Sequence, residues 1–277
     1  MPDQDIIETL YTATIQHGPQ SDRIYLMDIG KADTRRLIDE MLEIARDNRY
    51  GKLFAKVPAT DVPAFIEAGF EVEATVKRMY HGVIDGVFLG LFVDENRKEE
   101  SCPEHCDAVL QTALKKTVEP ILPAEGSVRI CTPEDAHAMA LVYRSVFDSY
   151  PFPIDDPAFI TQSMQEGTLY AAVERDGEIA ALASAECNVS EHAWYAEMTD
   201  FATRHAYRGN GYAVQLLAFL EQKARDRGIL TLYTIARAAS YGMNCTFAKC
   251  GYTFGGRLKN NTQISGTIES MNVWYRN

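Results

Sequence analysis

The sequence predicts an α/β (α+β) chain folded as two compact units. Three observations carry this: 277 residues exceed one typical domain; short apolar strand patterns alternate with amphipathic helical ones; and a glycine turn at Arg208 to Gly211 stands between a strand pattern and a long helical pattern. With 46% hydrophobic and 24% charged residues, the composition is that of a globular chain able to bury a core in each half.

In chain order, the clearest boundary lies between Arg97 and Ser127. The charge run Arg97, Lys98, Glu99, Glu100 leads there to an amphipathic stretch and then Pro120, Pro123 and Gly126. This reads as a linker with a connecting helix between units at 1–120 and 127–277. Val128 to Cys131 follows as a strand. Thr132, Pro133, Glu134 and Asp135 then start a helix, with a capping hydroxyl, a proline at the first position and acids in the first turn, running to about Phe147. Ser149 to Pro157, SYPFPIDDP, is expected as a loop or broken helix, because Pro151 and Pro153 each remove a backbone donor. Thr168 to Glu174 and Glu178 to Cys187, joined at Asp176 and Gly177, read as a hairpin. Trp194 to Thr203 is a further strand. The helix after the glycine turn puts Ala213, Leu217, Leu220 and Ala224 on one face. Ile229 to Ile235 is a strand, Tyr241 to Lys249 a helix ending at Gly251, and two strands finish the chain near Trp274.

The first unit echoes the second. Leu37 to Asn48, Leu53 to Val57, Phe65, Gly69 and Phe70 match in order Leu216 to Arg227, Leu230 to Ile235, Phe247, Gly251 and Tyr252. Any helix, strand, helix unit aligns this well, so the echo supports equally a chance likeness and a duplicated fold. If duplicated, the first copy has decayed, for IGKADTRR before its helix keeps only Gly30 and no glycine turn.

The net charge of −12 opposes phosphate backbones and excludes nucleic acid as an expected partner. Residues 127–277 carry 13 basic against 16 acidic residues and residues 1–126 carry 14 against 23, so the excess is N-terminal and gives no argument for steering a cation to a C-terminal site. The first thirty residues are acidic and interrupted, and no run approaches a membrane span; a cytoplasmic protein with no membrane partner is expected. Its six cysteines then read as reduced thiols. Cys102, His105 and Cys106 lack a clear fourth ligand, so no metal is expected.

Arg208, Gly209, Asn210, Gly211, Tyr212 and Ala213 bring a base, two glycines and a small residue to the start of a helix. Glycines let the backbone approach a phosphate and take up positive φ, and free amides of the helix start point at the anion. A pyrophosphate fits. The Lys-Ser/Thr of a nucleotide P-loop is missing and the spacing is wrong for a dinucleotide turn.

This turn resembles the Q/R-x-x-G-x-G/A signature of the GNAT N-acetyltransferase superfamily, met here by Arg208, Gly211 and Ala213. The resemblance spans roughly Val128 to Tyr275. It implies a mixed, mostly antiparallel sheet with flanking helices, splayed at the unit's fourth strand; with the echo read as a duplication, the first unit is a degenerate GNAT-like domain. It implies acetyl-CoA as acetyl donor, with backbone groups of Phe201, Ala202 and Thr203 on the pantetheine arm, amides of Gly209 to Ala213 on the pyrophosphate, and Asn244 as a further pantetheine contact. More narrowly, the length, SYPFP at Ser149 to Pro153, AEMTDFAT at Ala196 to Thr203 and ARAASYGMN at Ala236 to Asn244 are similar to the β-lysine N6-acetyltransferases, which make the osmolyte N6-acetyl-β-lysine beside a lysine 2,3-aminomutase.

Acetyl transfer to an amine needs a neutral amine, and a lysine-type ammonium, with a pKa of about 10.4, needs a base or a water chain to become one. Glu197 and Asp200 are the carboxylates on the strand beside the thioester. Strand alternation puts them on opposite faces, so only a bulge lets both reach one pocket. Glu197 is the preferred base and Asp200 the anchor for a substrate ammonium; each is otherwise an ordinary surface carboxylate. The superfamily's tyrosine acid falls at Phe247, leaving Tyr241, Cys245, Tyr252 or water. Tyr150 and Phe152 are assigned to the substrate wall or to core packing. The expected function is acetyl-CoA-dependent acetylation of a small amine, with β-lysine first; a protein, polyamine or amino-acid acetyltransferase and a non-catalytic CoA-binding regulator stay open. A homodimer is a candidate assembly.

Overall fold

The computed structural model describes residues 5–118, 127–190 and 193–277; Pro120, Pro123 and Gly126 of the expected linker lie outside the described residues. The N-terminal half runs β1 (Ile6–Leu10), β2 (Ala13–Gly18), β3 (Arg23–Asp28), α1 (Thr34–Asn48), β4 (Lys52–Pro58), α2 (Val62–Glu67), β5 (Glu71–Tyr80) and β6 (Ile84–Phe92). After a short 3-10 turn at Glu95–Lys98 comes α3 (Pro103–Leu114). The C-terminal half runs β7 (Ser127–Ile130), α4 (Ala136–Val146), α5 (Pro157–Gln165), β8 (Leu169–Arg175), β9 (Glu178–Val189), β10 (Trp194–Thr203), α6 (Tyr212–Asp226), β11 (Thr231–Arg237), α7 (Tyr241–Lys249), β12 (Thr253–Ile264) and β13 (Thr267–Arg276).

All 13 strands form one sheet in the order β1-β2-β3-β4-β6-β5-β12-β13-β11-β10-β9-β8-β7. Its ladders are antiparallel except β3 with β4 and β10 with β11, the two pairs bridged by a crossover helix, α1 and α6. Read outward from the β5–β12 contact, the halves present corresponding strands in the same sequence. The correspondence extends to detail. Tyr50 N–H closes on the Ala45 carbonyl and Ile229 N–H on Ala224. Phe70 N–H bonds the Phe65 carbonyl and Tyr252 N–H the Phe247 carbonyl, both at 3.0 Å. Each pair of rings meets edge to face, after a glycine of positive φ, Gly69 at 92° and Gly251 at 80°.

The amphipathic pattern of α6 buries Tyr212, Leu216, Leu217, Leu220 and Ala224 against the sheet, while Ala213 is half-buried and sits beside the expected stripe. Thr132 and Asp135 form a reciprocal capping box over a 3-10 turn that precedes α4. Helix α5 lies between the loop expected at Ser149 to Pro157 and the hairpin that follows. Asp156 caps it by accepting from the Ala158 amide, and Pro157 occupies its first turn, where a missing N–H is harmless. Among the described residues no helix is long and apolar enough to cross a membrane.

The halves join where Gly256 pairs with Ala74. A Cβ on Gly256, whose φ is 144°, would stand 2.2 Å from the Glu73 carbonyl oxygen, and one on Gly255 would stand 2.7 Å from that of Thr75. Two successive glycines therefore permit the close approach that fuses the sheets. Gly256→Val is expected to lower stability by about 1–3 kcal/mol or more, the range for an overpacked site, read as a fall in the urea midpoint; an unchanged midpoint would show that this contact does not hold the halves together.

Candidate active site

The site grows from one irregularity in β10. Tyr195, Ala196 and Glu197 pair with Thr231, Leu232 and Tyr233 of β11, and the parallel ladder stops there. On the other side the register with β9 slips between Thr199 and Ala202, and Asp200 takes a left-handed φ of 55°. This bulge does what alternation forbids: Glu197 and Asp200 both line one cavity of about 530 Å³. The splay expected at the fourth strand of this half lies at β10, and its open edge carries Phe201, Ala202 and Thr203.

Beyond that edge, a 3-10 turn at His205–Tyr207 leads to Arg208, Gly209, Asn210 and Gly211. Gly209 and Gly211 have φ of 85° and 75°, and a Cβ on either would meet nothing within 4 Å. Open space with left-handed backbone makes a cradle that a larger anion can enter. The α6 N-terminus has no side-chain cap and no acid in its first turn, which leaves the amides of Tyr212 and Ala213 facing outward from the helix start. The matching position in the first half is closed. Asp33 caps α1 with its own carboxylate, and a Cβ on Gly30 would collide with the Thr12 carbonyl oxygen at 2.1 Å.

Within the cavity the carboxylates differ in their company. Asp200 is buried and accepts from the Ser184 hydroxyl at 2.6 Å and the Tyr150 hydroxyl at 2.8 Å. Glu197 is half-buried and, among the described residues, accepts a single bond of 2.6 Å, from the Tyr233 hydroxyl. Glu186 stands directly opposite Glu197 across the β9–β10 ladder. Burial raises the pKa of Glu197 and Asp200; Lys56 and the Tyr233 bond oppose the shift at Glu197, and the Ser184 and Tyr150 hydroxyls oppose it at Asp200. Enclosure, then Glu197 and Asp200, pushes Glu186 well above the ordinary range.

The N-terminal half supplies a wall that sequence reasoning missed: Arg23, Tyr25, Asp28, Phe54 and Lys56 line the same cavity. Lys56, buried, donates to the Tyr233 hydroxyl at 3.2 Å and lies 5.1 Å from the centre of the Tyr195 ring. A chain from Lys56 through Tyr233 to Glu197 thus crosses between the halves. Its one signal in the sequence was a lysine inside the otherwise apolar run LFAKV.

Tyr150 and Phe152 line the cavity and also pack against the core beneath β8 and β9. Asn244 does not reach it and is corrected to a structural role. It is fully buried, its amide donates to the carbonyls of Arg237 at 3.0 Å and Ser240 at 2.7 Å, and its oxygen accepts from Asn272 and Trp274, both at 2.9 Å. No hydrogen-bonding capacity is left for a pantetheine amide. Phe247 lines the cavity from one side and packs on Phe201 and Tyr252. Tyr241, Cys245 and Tyr252, the substitutes considered for a proton donor, are not among the lining residues. Cys102 and Cys106 place their sulfurs 3.9 Å apart while His105 turns to the Ala239 carbonyl, and among the described residues no group of three or more metal-ligating side chains converges.

The profile of the acetyltransferase (GNAT) family matches residues 139–252. The β-lysine N(6)-acetyltransferase of Methanococcus maripaludis is 35% identical over 275 residues, covering 99% of this chain and 98% of that protein. This chain belongs to the GNAT acetyltransferase family. A β-lysine N(6)-acetyltransferase of Methanosarcina mazei is 29% identical over 256 residues, covering 84% and 93% of the two chains, and the N-acetyltransferase YodP of Bacillus subtilis is 29% identical over 268 residues, covering 95% of each. The protein is an N-acetyltransferase whose acetyl donor is acetyl-CoA, and the open glycine cradle and parted strands fit that donor. When bound, acetyl-CoA brings an activated thioester, and this chain's residues hold and orient it.

Two substitutions separate the glycine cradle from the buried Asn244. Gly211→Val, which forces a branched side chain into left-handed backbone, is expected to abolish the thermal stabilisation that acetyl-CoA gives; full-strength binding by calorimetry would remove the cradle assignment. Asn244→Ala leaves buried donors on Asn272 and Trp274 unpaired and is expected to lower stability by about 1–3 kcal/mol, with acetyl-CoA affinity at low temperature unchanged. A selective loss of affinity with intact stability would restore Asn244 to the cofactor site.

Proposed function

We propose that this acetyltransferase carries the acetyl group of acetyl-CoA to the N6 amine of β-lysine, giving N6-acetyl-β-lysine. The observation that carries the reading is the position of Glu197: a cavity-lining carboxylate at the point where β10 and β11 part, bonded by only one hydroxyl among the described residues. Asp200 has two strong hydroxyl donors and fixes Tyr150, so Glu197 is the freer base and Asp200 the fixed negative charge beside the substrate's second ammonium. Tyr150 and Phe152 cover the acceptor from the SYPFP loop. Backbone groups of Phe201, Ala202 and Thr203 hold the pantetheine arm, and Arg208 with the amides of Gly209, Asn210, Gly211, Tyr212 and Ala213 holds the pyrophosphate. A cavity walled by both halves and by the loop suits a small acceptor better than a protein segment. The full-length likeness to two β-lysine acetyltransferases supports the same substrate. The free thiols of all six cysteines suit a reducing cytoplasm.

The N-terminal half is, on this reading, a degenerate copy of the catalytic unit, spanning 1–120 against 127–277. Matching strand order supports the copy, and Asp33 in the α1 cap supports the loss of its anion site. One acetyl-CoA per chain is expected by native mass spectrometry, and two would end this account of the first half.

Glu197 works only when deprotonated, so turnover should rise with pH through its elevated pKa. Glu197→Gln is expected to lower kcat on β-lysine by roughly 10²–10⁴-fold, the range for general base catalysis, with acetyl-CoA affinity nearly unchanged. Asp200→Asn should mainly raise KM for the amine, since it removes attraction present before and during reaction. The cation at Lys56 holds the Glu197 pKa down against burial, so Lys56→Met should move the acid limb of kcat/KM to higher pH. Normal turnover by Glu197→Gln at neutral pH would place the base elsewhere.

A further inference from the structure

Three cations line the cavity, and two are engaged with other side chains. Arg237 forms a paired contact with Glu269, Nε to Oε2 at 2.9 Å and Nη2 to Oε1 at 2.5 Å. Lys56 is bonded to Tyr233 in the chain that ends on Glu197. Arg23, from β3 of the N-terminal half, is the third. It is 3% exposed, and among the described residues no carboxylate pairs with it. Its Nη1 donates to the Asn261 carbonyl and to the Thr262 hydroxyl at 2.9 Å; among the described residues its Nη2 makes only a long 3.4 Å contact with the Gln16 side-chain oxygen, and its Nε has no partner.

The contrast with its neighbours is direct. Of the other buried cations, Lys52 and Arg97 each hold an acid, Glu73 at 2.7 Å and Asp22 at 2.9 Å, and Lys56 reaches Glu197 through the Tyr233 hydroxyl. A buried guanidinium with neutral company alone is costly, and buried charges are as a rule paired. Burial lowers the Arg23 pKa to about 10, which leaves it charged at neutral pH. The ring faces of Tyr25 and Phe54, 5.2 and 5.6 Å from its carbon centre, offset part of the cost, yet they add no anion.

Arg23 is also tied to the acceptor wall. The Gln16 amide that touches it donates to the Pro151 carbonyl at 2.9 Å, and the residue before, Tyr150, reaches Asp200. One loop therefore links the carboxylate end of the cavity to its guanidinium end. An extended β-lysine spans about 8 Å from N6 to carboxylate by ordinary bond lengths, a span a cavity of about 530 Å³ can hold.

We infer that Arg23 is the carboxylate subsite for the acceptor, so that the N-terminal half selects an amino acid over a simple amine. This rests on the small-amine reading and adds a requirement to it: the far end of the acceptor carries a negative charge. Arg23 binds and orients, and the proton transfer stays with Glu197.

The test compares β-lysine with its primary amide, 3,6-diaminohexanamide, at saturating acetyl-CoA. In the wild type the amide should lose roughly 10- to 100-fold in kcat/KM, the worth of a hydrogen-bonded charge. Arg23→Met should lose the same factor on β-lysine, chiefly in KM, and discriminate little between the two. Because Arg23 is buried and its removal can unfold the chain, Thr262→Asp is the second variant: it hands Arg23 a carboxylate in place of the hydroxyl it now touches, and should collapse the discrimination while acetyl-CoA binding and melting temperature hold. Equal wild-type rates on acid and amide overturn the subsite, as does a folded Thr262→Asp that discriminates like the wild type. Should β-lysine be inert but lysine be acetylated far better than lysinamide, and Thr262→Asp erase that preference, the β-lysine reading falls and the subsite stands. If the preferred acceptor is a polyamine without a carboxylate, the subsite is overturned.

Discussion

The end of the parallel ladder at Glu197 and Tyr233 is the constraint on which the site depends. Two parallel strands that stay paired offer no room for a ligand, since their facing amides and carbonyls are consumed by each other. The bulge at Asp200 ends that pairing and turns the strand's face, so a single backbone irregularity opens the edge of Phe201 to Thr203 and delivers two acids to one cavity. A left-handed aspartate is strained, and the hydroxyls of Ser184 and Tyr150 hold it in place. The loop of Tyr150 to Phe152, which lines the cavity, is thereby fastened to the same residue that shapes the strand.

The two halves show how one topology separates into different tasks. Strand order, crossover helices and even the Phe65–Phe70 and Phe247–Tyr252 turns agree between them. The divergence lies at the helix start. At α6 a glycine leaves the positive end of the helix free, while at α1 Asp33 satisfies it internally. The first half has no open helix start there, and it places Lys56, Tyr25, Phe54 and Arg23 on the cavity. The Lys56–Tyr233–Glu197 chain is the electrostatic expression of that arrangement.

Much of the C-terminal half was legible because its signals are local. The strand Trp194–Thr203 and the helix Tyr241–Lys249 match the sequence expectation residue for residue, and the glycine turn lies where a strand gives way to α6. The bulge was legible only as a condition: two carboxylates three apart meet one cavity if the strand slips. Helix α5 was hidden by the prolines before it, although Asp156 and Pro157 form an ordinary helix start. Asn244 failed for another reason, since an amide in the sequence does not disclose that Asn272 and Trp274 already occupy its oxygen. Lys56 meets Tyr233 across 177 positions of sequence, and no local pattern encodes a contact of that range.

The Gly255–Gly256 junction bears on solubility as well as on architecture. A sheet of 13 strands has only two rims, and here these are β1, five residues long, and β7, four residues long. Strands β5 and β12, of 10 and 12 residues, would be long bare rims if the halves existed apart. Unpaired rims of that length are templates for strand addition by other molecules. At the Gly256–Ala74 bridge the chain sets these two edges against each other, so a cut between the halves would lay both of them bare.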